Sequence, residues 1–325
     1  MIVLGFDTAT RSTAVALRLA DGSTLQARHD PSPDERPGHT TRLLGMAGEL
    51  LARAGIPPSA LERIAVGLGP GTFTGLRVGV ATARGLAQSL DAELVGVSSL
   101  RALAEGARAG IAEGPGPAGG ETDASDRVEP GGSYSDLGGR WASDARSKRP
   151  THPAWRATHA SDRGRRGAPL SGCLEGVLAV IDARRGEAFV AAYEIPDRGA
   201  VAELSAPRAL APADLGSVVV AQAQAQRGAE HGRGWLAIGD GAVRFRGDLE
   251  AAGVTVPEDS SSLHLVSAAA ICRLGASAPA ARSLEAILPD YRRRPDAEIA
   301  LAGARASAGG QSPTKRAQAR EAAGS

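Results

Sequence analysis

The chemistry this sequence could offer centres on two aspartates. Asp7 ends the apolar run Ile2–Phe6 and Asp182 ends Val177–Ile181; each is followed by a turn and a second apolar strand. Two carboxylates at strand ends, facing each other across a cleft, are placed to hold a magnesium-bound water beside a phosphate, although each could equally cap its own turn. Thr8 and Thr10 would add hydroxyls next to Asp7, but Ala9 stands where a loop wrapping a phosphate wants glycine. In the second half, Gly239 and Gly241 flank Asp240 at a strand-to-helix turn that could approach an adenosine. Asp7, Thr8, Thr10, Asp182, Gly239 and Gly241 are therefore the candidate nucleotide or magnesium contacts.

Other chemistries fail on inventory. The run Gly67 to Ala87, GLGPGTFTGLRVGVATARGLA, reads as strand end, turn and helix. It lacks the Lys-Ser or Lys-Thr pair of a phosphate loop, and the next strand, Glu93 to Val97, ends in Ser98-Ser99 without the acid that would hold a ribose. The six histidines include no helical His-x-x-x-His pair, so no metal site is expected; His39 is read as starting a helix. Cys173 and Cys272 are far apart and fit simple packing, and no Gly-x-Ser-x-Gly elbow is present. What remains for the glycine run is close approach. Gly75, Gly79 and Ala83 share one stripe of the helix, and glycine inside a helix costs roughly 1 kcal/mol relative to alanine unless something must come near.

The elements that position these residues form two similar halves. Strands are expected at Ile2–Phe6, Ser12–Leu19 and Thr24–His29, a helix over His39–Ala54 with Leu43, Leu44, Ala47, Leu50 and Leu51 on one side, a strand before Gly67, the glycine-rich helix, a strand at Glu93–Val97 and a helix from near Ser98. The second half repeats the opening at Val177–Ile181 and Glu187–Glu194, and continues with a strand at Trp235–Ile238, a helical stretch 242–252 and a helix over 265–275. Such a duplication describes an α/β fold of the actin-like, sugar-kinase-like kind, with two lobes and a cleft between them. The expected organisation is an N-terminal lobe over 1–108, a disordered or flexible insertion over 109–171, a C-terminal lobe over 172–301 and a disordered tail over 302–325. The insertion holds Trp141, Trp155, His152 and His159. A formal net charge of +1 over 325 residues gives the chain as a whole no electrostatic hold on nucleic acid. The opening strand begins without a charged leader or long apolar stretch, so a cytoplasmic location without membrane association is expected.

Taken together, Asp7-Thr8-Ala9-Thr10, His39-Thr40, the stretch Gly69 to Gly79, Gly96-Val97-Ser98-Ser99-Leu100, Ile181 to Glu187 and Pro289-x-Tyr291-x-Arg293 closely resemble the TsaB (YeaZ) family. The resemblance covers Met1 to about Ile299 apart from the insertion, which is longer than the family's connection; the basic tail is also unmatched. It implies the ASKHA, RNase H-like fold and a non-catalytic dimerization subunit in synthesis of N6-threonylcarbamoyladenosine, the base beside the anticodon in tRNAs reading ANN codons. The implied partners are a catalytic threonylcarbamoyltransferase subunit (TsaD-like) and a small ATPase subunit (TsaE-like), with tRNA met only through the complex and a homodimer as the state of the chain alone. No tightly bound cofactor is implied; ATP or ADP with magnesium would sit at the junction of the complex. The implied docking face lies on the first two helices, at Leu43, Leu50, Gly75, Leu76, Gly79, Val80 and Ala83. The alternative from the residues alone is an autonomous actin-fold ATPase or small-molecule kinase using Asp7 and Asp182.

Overall fold

A computed structural model describes residues 1–32, 34–113, 174–196, 199–225 and 234–292. Most of the expected insertion, the tail, Cys173, His231 and Arg293 lie outside these residues. The first half builds a sheet from β1 (Val3–Asp7), β2 (Thr13–Arg18), β3 (Thr24–His29), β4 (Arg63–Gly67) and β5 (Glu93–Val97) in the order β3-β2-β1-β4-β5. β1 pairs antiparallel with β2 and parallel with β4. The second half uses β6 (Leu174–Arg184), β7 (Glu187–Glu194), β8 (Ala202–Leu210), β9 (Gly234–Ile238) and β10 (Val254–Thr255) in the order β8-β7-β6-β9-β10. The two sheets thus share one topology, and β6 pairs antiparallel with β7 and parallel with β9 as β1 does with its neighbours.

Helices α1 (His39–Ala54) and α2 (Phe73–Leu90) cover one face of the first sheet. Leu43, Met46, Leu50 and Leu51 of α1 and Val80, Ala83 and Ala87 of α2 meet Leu4, Phe6, Val15, Leu17 and Ile64 there. α1 stops where Gly55 turns left-handed at φ 67°, its N–H donating to the Ala52 carbonyl and that of Ile56 to Leu51, the two bonds of a Schellman cap. The outer face of the second sheet carries α4 (Leu215–Ala225), α5 (Asp240–Arg244) and α6 (Arg246–Ala251). Between the sheets lie α3 (Ser99–Glu113) and α7 (Ala268–Ser277), and they are exchanged: α7 of the second half packs on β1, β2 and β4, while α3 of the first packs on β6 and β7. The exchange demands small residues. A Cβ on Gly5 would lie 2.6 Å from the Cys272 sulfur, and one on Gly275 would lie 2.5 Å from the Ala65 Cβ.

Three departures from the sequence reading follow. The boundary expected after residue 108 falls inside α3. The helical stretch 242–252 is two short helices interrupted at Phe245, and β8, β10 and α4 are additional elements. Among the described residues no helix is long and apolar enough to cross a membrane.

Candidate functional site

The turn after β1 is held in a groove that the glycine run makes for it. The Thr72 N–H, at the start of α2, donates to the Ala9 carbonyl at 2.7 Å, and the Thr8 hydroxyl donates to the Gly75 carbonyl at 2.8 Å. A Cβ on Gly75 would overlap the Thr8 carbonyl oxygen, one on Gly79 the Thr8 hydroxyl, one on Gly71 the Ala9 carbonyl and one on Gly67 the Asp7 carboxylate. The small-residue stripe therefore serves contact inside the lobe, and the start of α2, where an anion would bind, is taken by a peptide carbonyl.

Asp7 is a staple. Its Oδ1 accepts the Ala9 N–H at 2.9 Å and its Oδ2 accepts the Ser99 hydroxyl at 2.5 Å; the Ser99 oxygen in turn accepts the Gly69 N–H at 3.1 Å. One carboxylate thus joins β1, the glycine turn and the first residue of α3. Complete burial raises its pKa above the usual carboxylate value, opposed by the Ser99 and Ala9 donors. Asp182 is engaged in a comparable way: Oδ1 accepts the Arg184 N–H at 2.8 Å, and Oδ2 faces the Arg244 guanidinium at 2.7 Å and that of Arg184 at 3.2 Å. Every carboxylate oxygen of Asp7 and Asp182 is thus already engaged by at least one backbone, hydroxyl or arginine donor. Among the described residues no group of three or more His, Cys, Asp or Glu is arranged to hold a metal.

Gly239 and Gly241 also answer packing needs. Gly239 sits at φ 106°, where a Cβ would strike the Val180 carbonyl, and a Cβ on Gly241 would lie 3.0 Å from the Asp182 nitrogen. Asp240 between them accepts the Asp182 N–H at 3.0 Å, and burial pushes its carboxyl up to about 6 from 3.8. Since the folded state holds that proton more tightly than the unfolded chain, this group's stabilising contribution is full below about pH 4. It is lost as pH rises to about 6, and stability is level beyond. Unfolding free energies from urea titrations between about pH 4 and 7 should accordingly fall by an amount on the order of 2–3 kcal/mol more in the parent than in Asp240→Asn, which keeps an acceptor for the Asp182 N–H. An equal fall in both proteins would remove Asp240 as the source.

Between the lobes lies a cavity of about 210 Å³ lined in part by Thr10, Ser12, Arg28, Asp30, Asp240 and His264. Of the predicted contacts only Thr10 reaches it; Thr8 is turned inward. Its polar walls are committed: Arg28 donates to the Asp30 carboxylate and to the Val266 carbonyl, and His264 Nδ1 accepts the Gly239 N–H at 3.2 Å while Nε2 faces the Pro257 carbonyl. His39 is the first residue of α1, but it ties the helix to β2 rather than capping it: Nδ1 meets the Thr13 hydroxyl at 2.8 Å, and burial lowers its pKa. The Cys272 thiol, enclosed under β1, is pushed up to about 12 by burial and bonds to the Val3 and Ala16 carbonyls.

The predicted docking residues need correction. Leu43, Leu50, Leu76, Val80 and Ala83 are buried in the lobe, as are Gly75 and Gly79, so none offers a face to another molecule. The outward faces of the same helices present Thr41, Leu44, Gly45, Gly48 and Ala52 on α1 and Phe73, Arg77, Ala81 and Gly85 on α2. A Cβ at Gly45, Gly48 or Gly85 would meet nothing within 4 Å. Their spacing in the sequence was the available signal, and the apolar pattern of α1 concealed it.

Residues 35–120 match the family described as TsaD: tRNA N6-adenosine threonylcarbamoyltransferase. Over 107 residues the chain is 40% identical to the tRNA threonylcarbamoyladenosine biosynthesis protein TsaB of Escherichia coli (strain K12), covering 33% of this chain and 44% of that protein. The protein of the same name from Haemophilus influenzae (strain ATCC 51907 / DSM 11121 / KW20 / Rd) is 37% identical over 107 residues, 33% of this chain and 43% of its own length. The matched stretch thus spans less than half the length of these curated relatives. A solved structure, YeaZ from Pseudomonas aeruginosa, superposes on 90% of this chain and 100% of its own with a TM-score of 0.56 at 23% identity. That likeness bears out the actin-like, two-lobed α/β fold.

Proposed function

With the TsaB (YeaZ) family thus supported, we propose that the chain is a non-catalytic docking subunit in threonylcarbamoyladenosine synthesis. It binds a TsaD-like transferase through the outward faces of α1 and α2, and through that complex it serves the adenosine beside the anticodon in tRNAs reading ANN codons. The observation that carries the reading is the set of helix-interior glycines with open space above them, Gly45, Gly48 and Gly85. Each costs its helix roughly 1 kcal/mol relative to alanine. Packing within the lobe gives no return for that cost, whereas a partner helix laid across α1 and α2 would. Leu44, 45% exposed, supplies an apolar contact between them. The engagement of Asp7 and Asp182 by backbone and arginine donors speaks against the autonomous ATPase or kinase.

Gly45→Leu combined with Gly85→Leu should abolish co-purification with the transferase, while the urea midpoint of the chain alone stays at or above the parent's. A face holding a lasting complex would bury at least about 1,000 Å², so leucines at its centre should weaken binding by well over tenfold. Undiminished capture of the transferase by the double variant, or ATP turnover by the isolated chain, would overturn the reading.

A further inference from the structure

We propose that the segment 281–291 is a third element of the docking face, and that Phe73, Leu288 and Tyr291 anchor an apolar stretch of the transferase while a carboxylate of that partner meets Arg77. This surface continues the face of α1 and α2 and rests on the docking reading of the preceding section; what is added is where the contact is anchored and what the partner must present. Among the described residues seven large hydrophobic side chains are exposed, and four of them, Leu44, Phe73, Leu288 and Tyr291, lie on α1, α2 or this segment. Phe73 is 39% exposed, Tyr291 45% and Leu288 63%.

The segment returns from the second half to the first and is fastened there by its backbone. The Ala281 N–H donates to the Leu94 carbonyl and the Asp290 N–H to the Leu68 carbonyl, both at 2.8 Å, and Arg84 of α2 donates to the Glu285 and Ile287 carbonyls. Ile287 is buried in the core under α1 and α2, and Leu288 after it faces outward. Tyr291 thereby reaches the first turn of α2, its ring centroid 5.1 Å from that of Phe73 with the planes inclined at 35°. Phe73 and Arg77 belong to the outward face of α2, so the segment widens one continuous surface. Rings held at fixed positions with their faces in water lose little freedom when a partner covers them, which suits an anchor.

Charge sets what lies opposite. α2 holds no acidic residue, and among the described residues Arg77 has no carboxylate within ion-pair reach. Its guanidinium lies 5.1 Å from the Phe73 ring centre. Arg292, by contrast, is engaged by Asp290 at 2.6 Å. One uncompensated arginine gives little hold on a phosphate backbone. An arginine stacked on aromatic rings and bordered by leucine has instead the make-up of a protein hot spot, with a carboxylate as its complement. The open space above Gly45, Gly48 and Gly85 on the same helices likewise suits an approaching protein helix.

The test is the affinity of the full chain for the transferase, measured across a range of salt concentrations. Phe73→Ala, Tyr291→Ala and Leu288→Asp should each weaken binding about tenfold, and Tyr291→Phe should stay within about twofold. Urea midpoints should match the parent's in all four, because the altered side chains are exposed. Arg77→Ala should bind more weakly than the parent at low salt and converge with it at high salt, as loss of one ion pair requires. A deficit that is the same at every salt concentration overturns the carboxylate. Undiminished affinity in the Phe73→Ala/Tyr291→Ala double variant overturns the anchor, and the docking reading then stands if Gly45→Leu with Gly85→Leu still abolishes capture. Loss of binding in the ring variants with full capture by that glycine variant upholds the anchor and removes the docking reading instead. Ring variants that change only the binding of an RNA hairpin, or only self-association of the chain, give the patch to RNA or to a second copy and overturn the proposal. A parent chain that captures no transferase overturns both.

Discussion

Gly75→Ala is expected to lower the unfolding free energy by about 3 kcal/mol or more, whereas Gly85→Ala, ten residues along the same helix, should raise it by about 0.5–1 kcal/mol. The intrinsic gain in helix propensity is the same at both sites, so any difference must come from what surrounds them. At Gly75 the added methyl would overlap the Thr8 carbonyl, a backbone atom fixed by β1 on one side and β2 on the other. To make room, the turn must lift out of its groove. That breaks the hydrogen bonds from the Thr8 hydroxyl to the Gly75 carbonyl and from the Thr72 N–H to the Ala9 carbonyl, and it pulls on the Asp7 staple to Ser99. At Gly85 the methyl points into open space. Urea unfolding of the two variants beside the parent decides the matter; a Gly75→Ala midpoint equal to the parent's would mean that the turn can move without cost. The same reasoning makes Gly79→Leu a poor probe of docking, because its side chain would collide with Thr8 before reaching any partner.

That pair of glycines also shows where the sequence could be read and where it could not. The strands Thr24–His29, Glu93–Val97 and Glu187–Glu194 and the helix His39–Ala54 have the boundaries that periodicity and turn residues predict: the helix carries a clear buried face, Glu187–Glu194 is a buried run between turns, and Thr24–His29, half-buried along most of its length, was marked by the Asp21-Gly22 turn before it. β8 was not legible because it is an edge strand whose residues are mostly exposed or half-buried, leaving no alternation to detect. The duplication was legible from Asp7 and Asp182, but the exchange of α3 and α7 between the sheets was not, because local pattern does not say which sheet a helix will cover. At the site, small residues at helical spacing correctly announced close approach and said nothing of direction. Gly75 and Gly79 face inward toward Thr8, and Gly45, Gly48 and Gly85 face outward. Only the position of the sheet beneath the helices separates a glycine that packs inward from one that faces outward.

Because α7 crosses to the opposite sheet, what fastens its end fastens one half of the chain to the other, and Arg63→Ala should cost about 2–4 kcal/mol. The last carbonyls of a helix have no partner within it. Here the Arg63 guanidinium reaches from β4 and donates through Nη1 to the carbonyls of Gly275, Ala276 and Ala278 at 2.8, 3.1 and 2.9 Å, while Nε and Nη2 bind Glu93. The cation also meets the negative end of the helix dipole. Its side chain is 11% exposed, so water replaces little of what is lost, and α7 at ten residues is too short to hold itself. Glu93 is 53% exposed, so Glu93→Gln should change stability by about 1 kcal/mol at most. Arg63→Lys keeps the charge without the fork that serves carbonyls and carboxylate together, and should fall between the two. Hydrogen exchange supplies the local reading: amides of α7 should lose protection in Arg63→Ala while those of α1, on the far side of the first sheet, keep theirs. Unchanged protection at Ile271 and Cys272 would show that burial of α7 between the sheets suffices without the arginine. The outward faces of α1 and α2 lie on the opposite side of that sheet from α7, so a variant weakened in this way should still capture its partner under conditions where it stays folded.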